Sequence, residues 1–256
     1  MREINYDKFS QIYDLSRGIN SETLKDLIRL TDINSNSIIL DIGCGTGNYT
    51  HALKNFAKYV IGLDLSLGMI QKAKDKFPNL EYINSNAIFL PFNSEIFHGI
   101  YAIQVFHHIR NQLLFLKEAY NILRTNGHIV IHTCSHDQIN TFWYYYYFPE
   151  GLKKDFKRIP DIKEIISLLK KTGFSNIGVK VCYDRVILNH APENYLDKNY
   201  RNGDSTFALL TDDEIELGCK NLQKDIKSGD IIRIIKKYKK KADFFGSSSI
   251  IHGEKV

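Results

Sequence analysis

Ile38-Ile39-Leu40-Asp41-Ile42-Gly43-Cys44-Gly45-Thr46-Gly47 is the stretch that decides the fold of this chain. A short apolar, β-branched run ends in an acid, and three glycines at alternate positions follow at once. The run reads as a buried parallel strand and the glycines as a tight turn from strand to helix. Lacking Cβ, such a turn approaches a ligand closely and takes backbone angles closed to other residues. A turn of this kind at a helix N-terminus is where α/β sheets hold nucleotide-like cofactors, so an adenosine-based cofactor is expected.

Outward from the turn, strands and helices alternate. Asn48 to Phe56 has helical character, and Val60-Ile61-Gly62-Leu63-Asp64-Leu65 is a second buried strand. Met69, Ile70, Ala73 and Phe77 fall at helical spacing ahead of Pro78. Strands are expected at Leu80 to Asn84, Gly99 to Phe106 and Gly127 to Thr133, with a helix from Leu113 to Leu123. This alternation means a parallel sheet covered on both faces. Farther on, Asp161 to Thr172 reads as a helix between Pro160 and Gly173, and Ile177 to Leu188 as a strand. Residues 189–241 form a polar insert with one clear helix start, the capping box Thr211-Asp212-Asp213-Glu214, and Phe244 to His252 reads as the last strand.

The 256 residues suit one domain with an elaborated cap: 43% are hydrophobic and 25% charged, enough for a real core. A net charge of +5 is too mild to imply nucleic-acid binding. Cys44, Cys134, Cys182 and Cys219 show no metal-ligand or disulfide spacing, so no metal is expected and the thiols read as reduced, in the cytoplasm. No signal peptide and no apolar run of about 18 residues are recognisable, so no membrane span is expected.

The glycines discriminate among cofactors. A dinucleotide fingerprint needs glycine where Asn48 stands, and a phosphate loop needs a Gly-Lys-Ser/Thr that is missing. Asp64, closing the second strand, can accept both ribose hydroxyls of an adenosine. A cofactor without phosphate at the turn fits best.

With that, the chain resembles the class I S-adenosylmethionine-dependent methyltransferases, in the branch of small-molecule and menaquinone-type enzymes. The resemblance runs through Leu40 to Gly47, Gly62-Leu63-Asp64-Leu65-Ser66 with Met69-Ile70, Asn86-Ala87-Ile88-Phe89-Leu90-Pro91-Phe92, Phe97 to Ile109 and Leu123-Arg124-Thr125-Asn126-Gly127-His128. These segments fall in family order within residues 6–133. It implies that Gly43, Cys44 and Gly45 border S-adenosylmethionine, Asp41 helps place its amino group, Asp64 binds the ribose and Leu65 lies beside the adenine. Asn86, where the family commonly has Asp, and Ala87 would meet the adenine, and Gln104 the sulfonium. Ile88 and His98 stand where the family usually has acids. Tyr6, Tyr13 and Arg17 match a closing cap helix, Tyr13 among the cofactor contacts.

Candidate catalytic groups are His107 and His108, able to take a proton from an acceptor hydroxyl or amine, with packing as the competing role. His132 and His136 follow the fifth strand toward the expected acceptor side. Phe142-Trp143-Tyr144-Tyr145-Tyr146-Tyr147-Phe148 offers an aromatic wall or a cation cage, with Trp143, Tyr147 and His136 as candidate acceptor contacts. Seven consecutive residues cannot share one face, so at most about half would line a pocket. The run Lys236 to Lys241 reads as a solvated helix end, with an RNA or acidic protein surface as the alternative.

The expected architecture is a doubly wound, seven-stranded, mostly parallel sheet whose last strand runs antiparallel by the resemblance. Residues 1–30, 134–160 and 189–241 would cap it within a single domain, 1–256. The expected reaction is in-line transfer of a methyl group to a small-molecule acceptor. Its rivals are an RNA or protein methyltransferase using the basic region and a non-catalytic binding module.

Overall fold

The computed structural model describes residues 18–183 and 190–256. Tyr6, Tyr13 and Arg17, and with them most of the expected N-terminal cap, lie outside the described residues.

The stretch that opens the sequence argument is strand β1, Ile38–Ile42, paired in parallel on one side with β2, Tyr59–Asp64, and on the other with β4, Phe97–Ile103. Next to β2 lies β3, Glu81–Asn84, and next to β4 lies β5, Leu123–Thr133, both parallel. Strand β7, Ser248–Glu254, inserts antiparallel between β5 and β6, Ser175–Cys182. The sheet is therefore seven-stranded in the order β3-β2-β1-β4-β5-β7-β6, the expected doubly wound class with its last strand reversed.

Side chains alternate across β4 because a strand has a two-residue period. Ile100 and Ala102 join one core with Phe115, Leu116 and Ala119 of helix α4, Gln112–Ile122, and Ile165 and Leu169 of α7, Ile162–Thr172. Tyr101 faces the opposite core, with Leu27 of α1, Ser21–Arg29, and Leu53 of α2, Asn48–Leu53. There its hydroxyl lies 2.6 Å from Thr31 Oγ1, which fastens the end of α1 to the sheet. Helix α3, Leu67–Lys76, packs Ile70 and Ala73 against Tyr82.

A separate apolar cluster lies above the C-terminal ends of the strands. It is built from α5, His136–Ile139, the aromatic 3-10 turn Trp143–Tyr146, α6, Pro149–Arg158, and the elements after residue 190. Those elements are the 3-10 turn Pro192–Leu196, α8, Lys198–Asn202, α9, Ser205–Ala208, α10, Asp212–Ser228, and α11, Ile231–Phe245. Helix α10 starts with the expected capping box at Thr211.

The last strand begins four residues later than expected. Phe244 and Phe245 complete α11, which Gly246 ends at a φ of +78°, so their apolar character belongs to a helix end. Strand β4 also stops short of Gln104, which takes a positive φ of 54°. The basic run sits on α11, whose Ile231, Ile234 and Ala242 face inward while Lys236, Lys237 and Lys240 face solvent.

Candidate active site

The glycine loop follows β1 and folds back on β2. The backbone N–H groups of Gly43 and Cys44 both donate to Leu63 O, at 2.7 and 3.0 Å. Gly43, Gly45 and Gly47 all have positive φ, as the expected turn requires. A Cβ on Gly43 would stand 2.3 Å from Val105 Cγ2, so the loop is also pressed against the turn that follows β4.

Two carboxylates flank this loop with different electrostatics. Asp64 is half-buried at the end of β2. Its Oδ2 accepts from Gly45 N at 2.9 Å and its Oδ1 from Ser66 N at 2.8 Å. Asp41 is 1% exposed, and Thr50 Oγ1 donates to its Oδ2 at 2.7 Å. Burial pushes the Asp41 carboxyl up to about 7, and the nearby Asp64 charge adds to the rise, while the Thr50 hydrogen bond opposes it. Burial also pushes the Cys44 thiol well above its ordinary value, so it is no nucleophile.

A cavity of about 190 Å³ runs from this loop to the cap. Asp41, Gly43 and Cys44 form its floor, with Gln104 and His107 beside them. The positive φ of Gln104 is costly for a residue with a side chain, and such strain persists where the surroundings impose it. Here the Gln104 N–H is held by His132 O at 2.8 Å, so its side chain is carried out of the strand plane at the edge of the cavity.

Asp64, Gly45, Leu65, Asn86 and Ala87 stand outside that cavity, along the C-terminal ends of β2 and β3 beside the loop. Leu65 is 69% exposed there, and Asn86 turns its Oδ1 onto Ile88 N at 3.2 Å. The two groups of expected cofactor contacts are thus contiguous: Gly43 and Cys44 on the cavity floor donate to Leu63 O, next to Asp64, and Gly45 follows Cys44 in the loop.

Several expected acceptor and catalytic contacts are corrected. Trp143 is fully buried in the cap core, edge-on to Tyr195 at 5.0 Å, and is not on the cavity wall. Tyr147 is likewise buried, its hydroxyl donating to Asp225 Oδ2 at 2.9 Å. Their places on the wall are taken by Phe142, Tyr144 and Tyr145. The reason is the 3-10 turn, whose three-residue period puts Phe142 and Tyr145 on one side. His136 stacks on Phe156 and pairs its Nε2 with Ile159 O at 2.9 Å, so it braces α6 and is not on the cavity wall. His108 packs against the His107 ring outside the cavity, which leaves His107 as the member of the pair on its wall. His132 also reaches the wall, with Nε2 2.9 Å from Ser248 Oγ.

Sequence reading missed the polar cluster at the cap end. Asp155, 1% exposed, accepts at Oδ2 from Thr206 Oγ1 at 2.7 Å and from the Tyr145 hydroxyl. Its Oδ1 accepts from Arg158 Nε, and Arg158 Nη2 donates to Ser205 Oγ at 2.9 Å. Asp155 and Arg158 are three apart on a helix, a spacing that ordinarily marks a solvated ion pair. The one local hint was Asp204, an N-cap residue ahead of Ser205 and Thr206.

The loop fits a phosphate-free adenosyl cofactor: it faces carboxylates, and the N–H of Gly45 already serves Asp64. No group of His, Cys, Asp and Glu able to hold a metal occurs among the described residues. No helix among them is long and apolar enough to cross a membrane.

Comparisons with known proteins agree with this geometry. A family model described as a methyltransferase domain matches residues 40–131, from β1 into β5. The demethylmenaquinone methyltransferase of Lactococcus lactis is 30% identical over 202 residues, covering 66% of this chain and 77% of that protein. That of Staphylococcus carnosus is 26% identical, covering 78% and 92%. Among solved structures, a methyltransferase from an antibiotic biosynthesis pathway of Anabaena variabilis superposes with a TM-score of 0.78 at 28% identity, over 93% of this chain and 98% of that one. The chain belongs to the class I S-adenosylmethionine-dependent methyltransferases.

Proposed function

We propose that the protein methylates a small molecule enclosed between the glycine loop and the cap. The observation that carries this reading is the continuous cavity from Asp41 and Gly43 to Tyr144, Tyr145 and Arg158. Such an enclosure suits a small acceptor more than the exposed segment of a polymer. The demethylmenaquinone methyltransferases and the malonyl-[acyl-carrier protein] O-methyltransferase of Marinomonas among its relatives support the same class.

In this reading Asp64 accepts from the ribose hydroxyls, with its own orientation fixed by Gly45 and Ser66. Leu65, Asn86 and Ala87 flank the adenine. Asp41 faces the amino group, whose positive charge favours the ionised carboxylate. Gly43 and Cys44 let the backbone close on the methionine portion, and Gln104 stands at the junction between cofactor and acceptor. Bound S-adenosylmethionine supplies an electrophilic methyl group. The protein's contribution is to hold the acceptor in line with it and to exclude water, which alone can account for a large share of the acceleration. His107, on the cavity wall, takes the proton of an acceptor that arrives protonated.

Calorimetric titration with S-adenosylmethionine and S-adenosylhomocysteine, with NADH as control, tests the cofactor half. Micromolar binding of both sulfur compounds and none of NADH is expected. Folded protein that binds neither would overturn the reading.

A further inference from the structure

One helix holds the charge imbalance of the whole chain. Helix α11 carries six basic residues, Arg233, Lys236, Lys237, Lys239, Lys240 and Lys241, against one acid, Asp243. That excess of five equals the net charge of +5 of all 256 residues, so the remainder of the chain is neutral. We propose that the outer face of α11 is a docking surface for an anionic lipid bilayer. Its lysines meet the headgroups, and Ile232 and Phe244 enter the apolar boundary beneath them. The face is separate from the acceptor cavity, and neither cofactor binding nor methyl transfer requires it.

The helical period gives α11 two faces. Ile231, Ile234, Ile235, Tyr238 and Ala242 turn inward at helical spacing, and the first four join the cap core with Trp143, Tyr144 and Tyr145. Ile232, Arg233, Lys236, Lys237, Lys240 and Phe244 are exposed on the opposite side. Ile232, Lys236, Lys240 and Phe244 follow one another at four-residue steps, apolar at each end and cationic between. From first to last the row spans about 18 Å of helix. Ile232 is 71% exposed and Phe244 78%, a cost in water that burial in another phase would recover.

The end of the helix that carries Phe244 is pinned. Phe245 O accepts from Gln138 Nε2 at 3.1 Å, and the same amide donates to Ser248 O at 2.8 Å. A Cβ on Gly246 would stand 2.3 Å from Val181 Cγ1, so the chain leaves the helix pressed against β6. Phe245 lies edge-on to Phe244 with centroids 4.8 Å apart, and with the exposed Val181 it widens this apolar end. Acids that flank α11 in sequence have other partners. Asp225 accepts from the Tyr147 hydroxyl, and Asp230 from Ser228 Oγ at 2.7 Å. Among the described residues no ion pair joins α10 to α11.

The make-up of the face decides its occupant. Clusters of basic residues on an amphipathic helix suit anionic headgroups, and each cation near such a surface adds about five-fold in affinity. Five of the six cations on α11 are lysines, compact point charges that suit a diffuse layer of headgroups. Nucleic acid is read through guanidinium forks, amides and hydroxyls, and the exposed row has one arginine and no amide or hydroxyl. A protein partner needs a surface of complementary shape, whereas a bilayer accepts a convex helix. Apolar side chains among the cations add attraction that salt does not screen.

Vesicle flotation with the full chain tests this. Vesicles of phosphatidylcholine alone are compared with vesicles containing about one-third phosphatidylglycerol. The anionic vesicles should bind at least about ten-fold more tightly, with the difference shrinking from about 0.1 to 0.5 M salt. The triple variant Lys236→Gln, Lys237→Gln, Lys240→Gln should weaken that binding on the order of a hundred-fold. Phe244→Ser should weaken it about ten-fold at either salt concentration. All four side chains are exposed, so Tm and S-adenosylhomocysteine affinity should be unchanged in both variants. Equal binding to the two kinds of vesicle would overturn the proposal, as would binding to neither, or anionic binding indifferent to the lysine variant or to Phe244→Ser. So would an RNA oligonucleotide or polyglutamate held more tightly than the anionic vesicles at the same salt.

Discussion

The two ends of the cavity are built on different principles. At the sheet end, each group comes from a strand terminus or the turn after it, and its neighbours lie within about a dozen residues or on an adjacent parallel strand. Asp64 meets Gly45 because β1 and β2 pair in register, Ile42 opposite Leu63. At the cap end, Tyr145, Asp155, Arg158, Ser205 and Thr206 come from three short elements separated by up to about sixty residues. The first arrangement is a local motif. The second exists only when the cap core around Trp143, Tyr195 and Phe207 has formed. Chemistry common to a large family can sit in the motif, whereas selection of one acceptor can reside in the cap, where loops and short helices vary without disturbing the sheet.

If the two ends are energetically distinct, damage to the cap should spare the sheet. Asp155→Asn gives the largest expected effect. It leaves Arg158 buried without its anion and weakens the acceptor for Tyr145 and Thr206, a class of change costing about 3–5 kcal/mol. Hydrogen exchange should show lost protection in residues 136–158 and 192–245, with β1, β4 and β5 unchanged and S-adenosylhomocysteine still bound. Equal loss of protection in the sheet would show that the two ends fold as one cooperative unit.

The converse substitution is Asp64→Ala at the sheet end. It removes the proposed ribose acceptor and also strips the Gly45 and Ser66 N–H groups of theirs. Hydrogen bonds to a charged group are worth about 1.5–3 kcal/mol each, so affinity for S-adenosylmethionine should fall on the order of a hundred-fold. Circular dichroism and cap protection should not change. Undiminished affinity would remove Asp64 from the cofactor site.

This division also explains what was legible in the chain. The strands β1, β2, β4 and the second half of β5 announce themselves because largely apolar runs are buried on both faces. Most expected cofactor contacts lie at their ends, where the glycine loop and Asp64 carry a recognisable spacing. In the cap, the aromatic run Phe142 to Phe148 was visible, but its register was not. A 3-10 turn selects Phe142, Tyr144 and Tyr145 for the cavity and buries Trp143 and Tyr147, and nothing local distinguishes that from an α-helix. Asp155 and Arg158 carry the pattern of a surface ion pair, and only the arrival of Thr206 and Ser205 turns it into a buried one. Phe244 and Phe245 read as the start of a strand because two adjacent aromatics carry no helical period.

A smaller effect is expected at Gly218 on α10. Replacing a helical glycine with alanine ordinarily stabilises by about 1 kcal/mol. At this position a Cβ would stand 2.3 Å from Phe148 Cε1 and 2.8 Å from Tyr147 O, so the aromatic turn must shift. Overpacking of this kind costs about 1–3 kcal/mol and should exceed the helical gain. Gly218→Ala should therefore lower Tm by a few degrees, with cofactor affinity intact. An increase in Tm would show that the cap core yields freely.

The smallest effect concerns Asp41, where the two ends of the cavity differ in how they carry charge. Asp155 has an arginine partner, whereas Asp41 is buried with a hydroxyl as its donor and titrates at about 7. In the free protein its raised pKa means that folding favours the protonated acid. The stabilisation is full below the unfolded value of about 4 and is lost as pH rises through 7. Binding of a cofactor ammonium group reverses the preference, since the ionised carboxylate attracts it. Affinity for S-adenosylmethionine should consequently rise with pH up to about 7 and level off above it, falling about ten-fold from pH 8 to pH 6. Calorimetry in buffers of different ionisation enthalpy should show a proton released on binding near neutral pH. In Asp41→Asn both the pH dependence and the released proton should vanish, and affinity should become low and flat. A pH dependence that persists in the variant would assign the titration to another group and leave Asp41 as a structural partner of Thr50.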